Sequence, residues 1–135
     1  MTEHDPVNHP QHYASHPSGV EVIEITRHLN FNIGNAVKYI CRHNLKGNPV
    51  QDIQKAHWYV ADEILRTSGS KDAFPIAAAV NLSKYLAVEE YMLANDLDGA
   101  TLCADTIDAL QTLANPSGRL YVAKFALERR LDALA

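Results

Sequence analysis

Polar and aromatic side chains crowd the first sixty residues in a mixture that a stable helix bundle does not need. They run Asn8-His9-Pro10-Gln11-His12-Tyr13, His16-Pro17-Ser18-Gly19-Val20-Glu21, Asn30-Phe31-Asn32-Ile33-Gly34-Asn35-Ala36-Val37-Lys38-Tyr39-Ile40, then Arg42 and Leu45-Lys46-Gly47. All seven histidines lie at or before His57. Basic and amide groups beside rings suit a ligand that carries both phosphate and a ring, so a nucleotide is the leading expectation. On a helix at about 100° per residue, Asn35, Lys38, Tyr39 and Arg42 share one face, opposite Ile33, Val37 and Ile40. Lys46 continues that face beyond the helix end. Lysine offers a point charge to a phosphate oxygen and arginine a planar two-pronged donor. Asn35 can read a base edge or a sugar hydroxyl, and Tyr39 can stack or donate. An arm carrying His12, Tyr13, His16 and Ser18 is expected to fold over the ligand and donate hydrogen bonds.

Glu21, Glu24 and His28 share a second face. Paired carboxylates hold Mg²⁺ or act as acid and base. Glu21 also fits a capping pattern, which leaves Glu24 as the catalytic candidate and Mg²⁺ as the one cofactor to consider. His9, His12 and His16 have no cysteine or carboxylate at a zinc-binding spacing, so no metal site is assigned. His57 sits on an apolar face as a core histidine. Trp58 and Tyr59 suit base stacking or packing between helices. The chain has no G-x-x-x-x-G-K-[ST] loop and no G-x-G-x-x-G, which excludes a kinase built on that phosphate loop.

The elements that would position these groups are helical. Residues 1–17 hold four histidines and three prolines and read as an irregular arm. The first helix is expected to start at Ser18, with Glu21 completing a capping box. The second spans about Phe31–Asn44, ended by a left-handed Gly47. The third is capped by Asn48, takes Pro49 at its first position, has Gln51 as capping-box partner and reaches Arg66. Residues 67–70, Thr-Ser-Gly-Ser, form a break. Three more helices follow at about 74–95, 99–114 and 118–134, with Asp98 and Ser117 as N-caps. The fold expectation is therefore all-α: a bundle of about six helices with an irregular His/Pro-rich arm. It divides into a nucleotide-binding region (1–67) and a helical extension (72–135). Asn35-x-x-Lys38-Tyr39-Ile40 is echoed by Asn81-x-x-Lys84-Tyr85-Leu86, a match short enough for chance.

At 135 residues the chain is long enough to bury a core. A net charge of −4 argues against broad nucleic-acid or membrane binding. No apolar run approaches the roughly 20 residues that cross a bilayer. Cys41 and Cys103 read as reduced thiols of a cytoplasmic protein. Leu120, Leu127, Leu131 and Leu134 form a stripe for the chain's own core or for a homo-oligomer, in which sites between subunits would enclose a nucleotide.

The string His9-Pro10-x-His12-Tyr13, His16-Pro17-Ser18-Gly19-Val20-Glu21, Asn30-Phe31-Asn32-x-Gly34-Asn35-Ala36-x-Lys38-Tyr39-Ile40-x-Arg42, Leu45-Lys46-Gly47 and Asp52-x-x-Lys55-Ala56-x-Trp58-Tyr59 resembles a family of small bacteriophage proteins. That family carries a domain of unknown function and is often labelled nucleotide kinase. The resemblance covers about residues 7–66. It implies a phage protein in the host cytoplasm that moves phosphate between (deoxy)nucleoside monophosphates and triphosphates without a conventional phosphate loop. It also implies an aromatic, usually Trp, where this chain has Cys41. Two alternatives stand beside the kinase. One is a non-catalytic sponge that sequesters a signalling nucleotide of host immunity. The other is a Mg²⁺-dependent all-α pyrophosphohydrolase, suggested by Glu89-Glu90 and Asp105-x-x-Asp108 on consecutive helices.

Overall fold

The computed structural model describes residues 16–135. Among them are six helices: α1 (Val22–Thr26), α2 (Phe31–Arg42), α3 (Pro49–Thr67), α4 (Ile76–Ala94), α5 (Ala104–Ala114) and α6 (Leu120–Leu134). No strand occurs among the described residues, so the fold is all-α, as the periodicity predicts. No described helix is long and apolar enough to cross a membrane.

The apolar stripes explain the packing. Ile33, Val37 and Ile40 of α2 are buried against Ile53, Val60 and Ile64 of α3, and the two helices run antiparallel. α5 and α6 form a second antiparallel pair through Leu110, Leu113, Leu120 and Leu127. α6 lies along α3, and α1 joins α2 to α4. The buried residues of both halves form one continuous cluster. Leu120 and Leu127 are fully buried in it, with Leu131 and Leu134 packed at its edge. The last-helix stripe thus packs on the chain's own core. Cys41 is also in the core, where burial pushes its thiol up to about 12.

Helix boundaries differ from the expected ones where side-chain chemistry outweighs pattern. α1 begins at Val22, because Gly19 adopts φ +77° in a preceding turn. Its capping box is Glu21 with Glu24, three residues beyond the Ser18 start. α2 ends at Arg42, with Gly47 (φ +78°) closing the following turns. Asn48 does cap α3, accepting from the Gln51 amide at 3.4 Å, and Pro49 opens the helix. The Asn48 side-chain amide in turn donates to Gln51 Oε1 at 3.1 Å. α5 begins at Ala104, because Thr106 reaches back to the Cys103 backbone and Asp98 is left in the loop. α6 starts after Arg119, with no side-chain cap from Ser117.

Candidate functional site

The α2–α3 pair carries an exposed platform of rings and cations. Tyr39 and Tyr59 stack nearly parallel, with centroids 6.1 Å apart and planes 8° apart. Over the Tyr39 ring sit three positive groups: Lys38 Nζ at 4.5 Å, the Arg42 guanidinium at 4.7 Å and Lys55 Nζ at 5.1 Å. Each cation gains from the electron-rich ring face. Tyr39 is therefore a seat for charge and keeps little open face for a base. Two further rings stand edge-on to Tyr59: Phe31 at 5.7 Å and Trp58 at 5.2 Å. Phe31 is 74% exposed and Trp58 60% exposed.

Two sets of polar bonds fix this surface. Arg42 reaches Asp52 at 3.1 Å, and Asp52 is almost wholly buried in the first turn of α3. Asp52 Oδ2 is the one buried side-chain oxygen or nitrogen among the described residues without a hydrogen-bond partner. At the other end, Asn30 and Asn32 flank Phe31. Asn30 donates to Glu63 at 2.8 Å and Asn32 donates to Glu63 at 3.2 Å and Asp62 at 3.0 Å. Arg66 adds two bonds of 2.8 Å to Glu63 and a third to Asp72. Arg66 holds the Glu63 carboxyl below its usual range, against the opposing effect of burial. Asn30 also caps α2 by accepting from the Ile33 amide. The amides around Phe31 thus set the angle between α2 and α3. Gly34 lies at a different joint, between α1 and α2, where a Cβ would stand 3.4 Å from the Thr26 carbonyl.

The structure brings Lys38, Tyr39 and Arg42 together as the helix-face argument predicts. It separates others from them. Asn35 is on the same side of α2, but its amide donates to the Phe31 carbonyl at 2.8 Å, within its own helix. It borders a shallow cleft of about 200 Å³ formed with Thr26, Leu29, Gly34 and Lys38. Lys46 is exposed in the turns after α2. Glu24 is held in the α1 cap, accepting from the Glu21 amide at 2.8 Å. His16 and Ser18 belong to a different place. His16 stacks on buried Tyr85 at 3.6 Å, and its Nε2 lies 3.2 Å from Glu89. Its Nδ1 accepts from the Ser18 amide and pairs with the Ser18 hydroxyl at 2.7 Å. His12 and Tyr13, with the rest of the expected arm up to residue 15, lie outside the described residues.

Glu89 is fully buried, and burial pushes its carboxyl up. Bonds from His16 and from the Thr101 hydroxyl and amide outweigh that and leave it below the usual range. Glu90 instead accepts from Gln111, while Asp105 and Asp108 both grip Arg129, at 3.0 and 2.9 Å. All four carboxylates behind the pyrophosphohydrolase alternative are held by protein partners, and Asp105 and Asp108 share theirs. No group of three or more metal-capable side chains occurs among the described residues. The tyrosines of the internal echo differ as well: Tyr39 is half-buried on the platform, whereas Tyr85 is buried. His57 is no core histidine but a link between helices, 2.9 Å from Glu128 of α6.

Sequence reasoning missed Lys55 and the use of Phe31. Lys55 and Tyr59 are four apart on α3, and Lys55 and Trp58 three apart, so each pair shares a helix face. That spacing was a usable signal. What it could not show was that the face meets Tyr39. No curated protein and no solved structure matches the chain. Residues 7–61 match the model of a family described only as a protein of unknown function, DUF3310, and that stretch contains every side chain of the platform.

Proposed function

We propose that the α2–α3 platform binds a nucleotide, with the base on the exposed Trp58 ring and the phosphate among Lys38, Lys55 and Arg42. The observation that carries this is the convergence of three cations from two helices on the single ring of Tyr39. Like charges gathered around one ring repel one another, and Asp52 pairs with the arginine. An anion placed among them relieves the repulsion and gains charge-assisted hydrogen bonds. Trp58 stands one helical turn from Lys55, which suits a ligand with a ring at one end and charge at the other.

The reading is one of binding without turnover, as in a nucleotide sponge. Phosphate transfer between nucleotides, which the phage-family resemblance implies, is the second reading. Asp52 supports it: a buried carboxylate oxygen without a partner, beside an arginine of the site, is where an acid–base group would be held. Calorimetric titration of the full chain with mononucleotides, triphosphates and cyclic signalling nucleotides, followed by chromatography of each mixture, tests both. Saturable binding with the ligand recovered intact supports the binder. Conversion of a monophosphate in the presence of a triphosphate supports transfer. No heat with any member of the panel overturns the nucleotide reading.

A further inference from the structure

The platform has more ring surface than one base can cover. Phe31 and Trp58 come from different helices, yet both stand edge-on to Tyr59, at 74° and 86°. Each leaves most of its ring in water. The inner pair, Tyr39 and Tyr59, is half-buried and stacked on itself, so the outer rings are the ones open to bases. The structure also holds Phe31 in place at some cost in polar groups. The amides on either side of it are both committed to Glu63. Phe31 opens α2 and Arg42 closes it, so the platform extends about 16 Å along that helix at 1.5 Å per residue. The cations sit toward one end of that length and Phe31 at the other.

From this we infer that the ligand is a two-nucleotide unit: two bases, one against Trp58 and one against Phe31, with its 5′-phosphate near Lys38 and Lys55, at the end away from Phe31. The inference rests on the nucleotide reading and narrows its ligand class. Aromatic side chains that each stack one base are the usual device for holding single-stranded nucleic acid without reading its sequence. Three cations in a chain of net charge −4 set the length. They neutralise few phosphates, so the site is short and its affinity falls with salt along a slope no steeper than about −2.

Trp58 is the only tryptophan, so its fluorescence reports directly on the platform. The full chain would be titrated with thymidine 5′-monophosphate, with the linear dinucleotide pTpT and with a ten-nucleotide oligothymidylate. The expected result is that pTpT quenches Trp58 and binds about tenfold or more tightly than the mononucleotide, since each stacked base contributes on that scale. Phe31→Ala is expected to bring the ratio of the two affinities close to one. Phe31 is exposed, and Phe31→Leu, which keeps the apolar packing on Tyr59 but not the stacking face, guards against a folding effect. A decamer that binds beyond its statistical advantage over pTpT supports the unit within a strand; equal affinity per site supports a free dinucleotide. Equal binding of pTpT and the mononucleotide by the unaltered chain overturns the two-base ligand and leaves the nucleotide reading standing. Absence of binding by all three overturns both.

Discussion

A lysine or arginine over a tyrosine face is worth about 0.5–1 kcal/mol where solvent reaches it. Tyr39 holds three such groups. Removing the ring therefore releases Lys38, Lys55 and Arg42 together. Tyr39→Ala is expected to weaken nucleotide binding about tenfold or more, while Tyr39→Phe, which keeps the ring, stays within about twofold of the parent; calorimetry on the folded variants checks this. A second residue-scale prediction concerns His43. Burial holds it below its ordinary value, opposed by the Ile40 carbonyl and reinforced by Arg130. The geometry fits a neutral ring: Nδ1 donates to the Ile40 carbonyl at 2.6 Å and Nε2 accepts from Arg130 at 3.3 Å. The unfolded chain takes up a proton near pH 6.5 that the folded chain resists. This contribution is intact above that pH and is lost as acid is added, by up to about 1.4 kcal/mol per pH unit. Urea midpoints should fall between pH 7 and 5.5, and His43→Gln should flatten that slope. The carboxylates held low, Glu63 and Glu89, give a separate loss, which sets in only as the pH drops below their ordinary range. At this scale the candidate site was half legible. Lys38, Tyr39 and Arg42 share one face of one helix, which spacing alone reveals. Asn35 shares the face too, but a side chain that can bond its own backbone is not marked as such by its position.

Helices were easier to foresee than their ends. The stripes Ile33–Val37–Ile40 and Ile53–Val60–Ile64 are buried as their period predicts. Starts depend on which of several small polar residues bonds first, and Glu24 and Thr106 prevailed over Ser18 and Asp98. The amide pair was also beyond the sequence. Asn30 and Asn32 look like ligand-binding residues within a polar motif, and their partner, Glu63, lies thirty residues downstream. Glu63→Ala removes the acceptor for both amides and for Arg66, and should cost about 3 kcal/mol in chemical denaturation. It should also misplace Phe31. The α5–α6 connection has its own constraint. A Cβ on Gly118 would stand 2.0 Å from the Thr112 carbonyl, inside any allowed contact. Gly118→Ala therefore forces the backbone to move and should lower stability by about 1–3 kcal/mol, read as a drop in melting temperature.

Taken whole, the molecule is built so that its two halves share a core. α3 and α6 lie antiparallel, pinned by His57 to Glu128 at 2.9 Å, with Leu120 and Leu127 in the same cluster as Ile53 and Val60. We expect a single cooperative unfolding transition, followed by circular dichroism and by Trp58 fluorescence with coincident midpoints. Leu127→Ala, at the far end of the sequence from the platform, should cost about 2–5 kcal/mol and shift both probes together. Separate transitions would instead support a binding region over 1–67 that stands apart from the extension. The sequence break at 67–70 suggested that division, because a change in composition is visible along a chain while packing between distant helices is not.

The arginine forks sit at two depths. Asp52 and Glu63 are 2% and 0% exposed at the side chain, so dissolved ions reach their bonds poorly. Asp105 and Asp108, which Arg129 holds, are 34% and 48% exposed. At physiological ionic strength, exposed charges are screened beyond about 8 Å, and more closely as salt rises. Added salt therefore acts first on the α5–α6 grip and on the attraction of Lys38 and Lys55 for an anion. The joint between α2 and α3 is left nearly untouched. Ionic strength thus becomes a means of release: an anion bound as proposed should wash from the platform while the helices that carry it stay assembled.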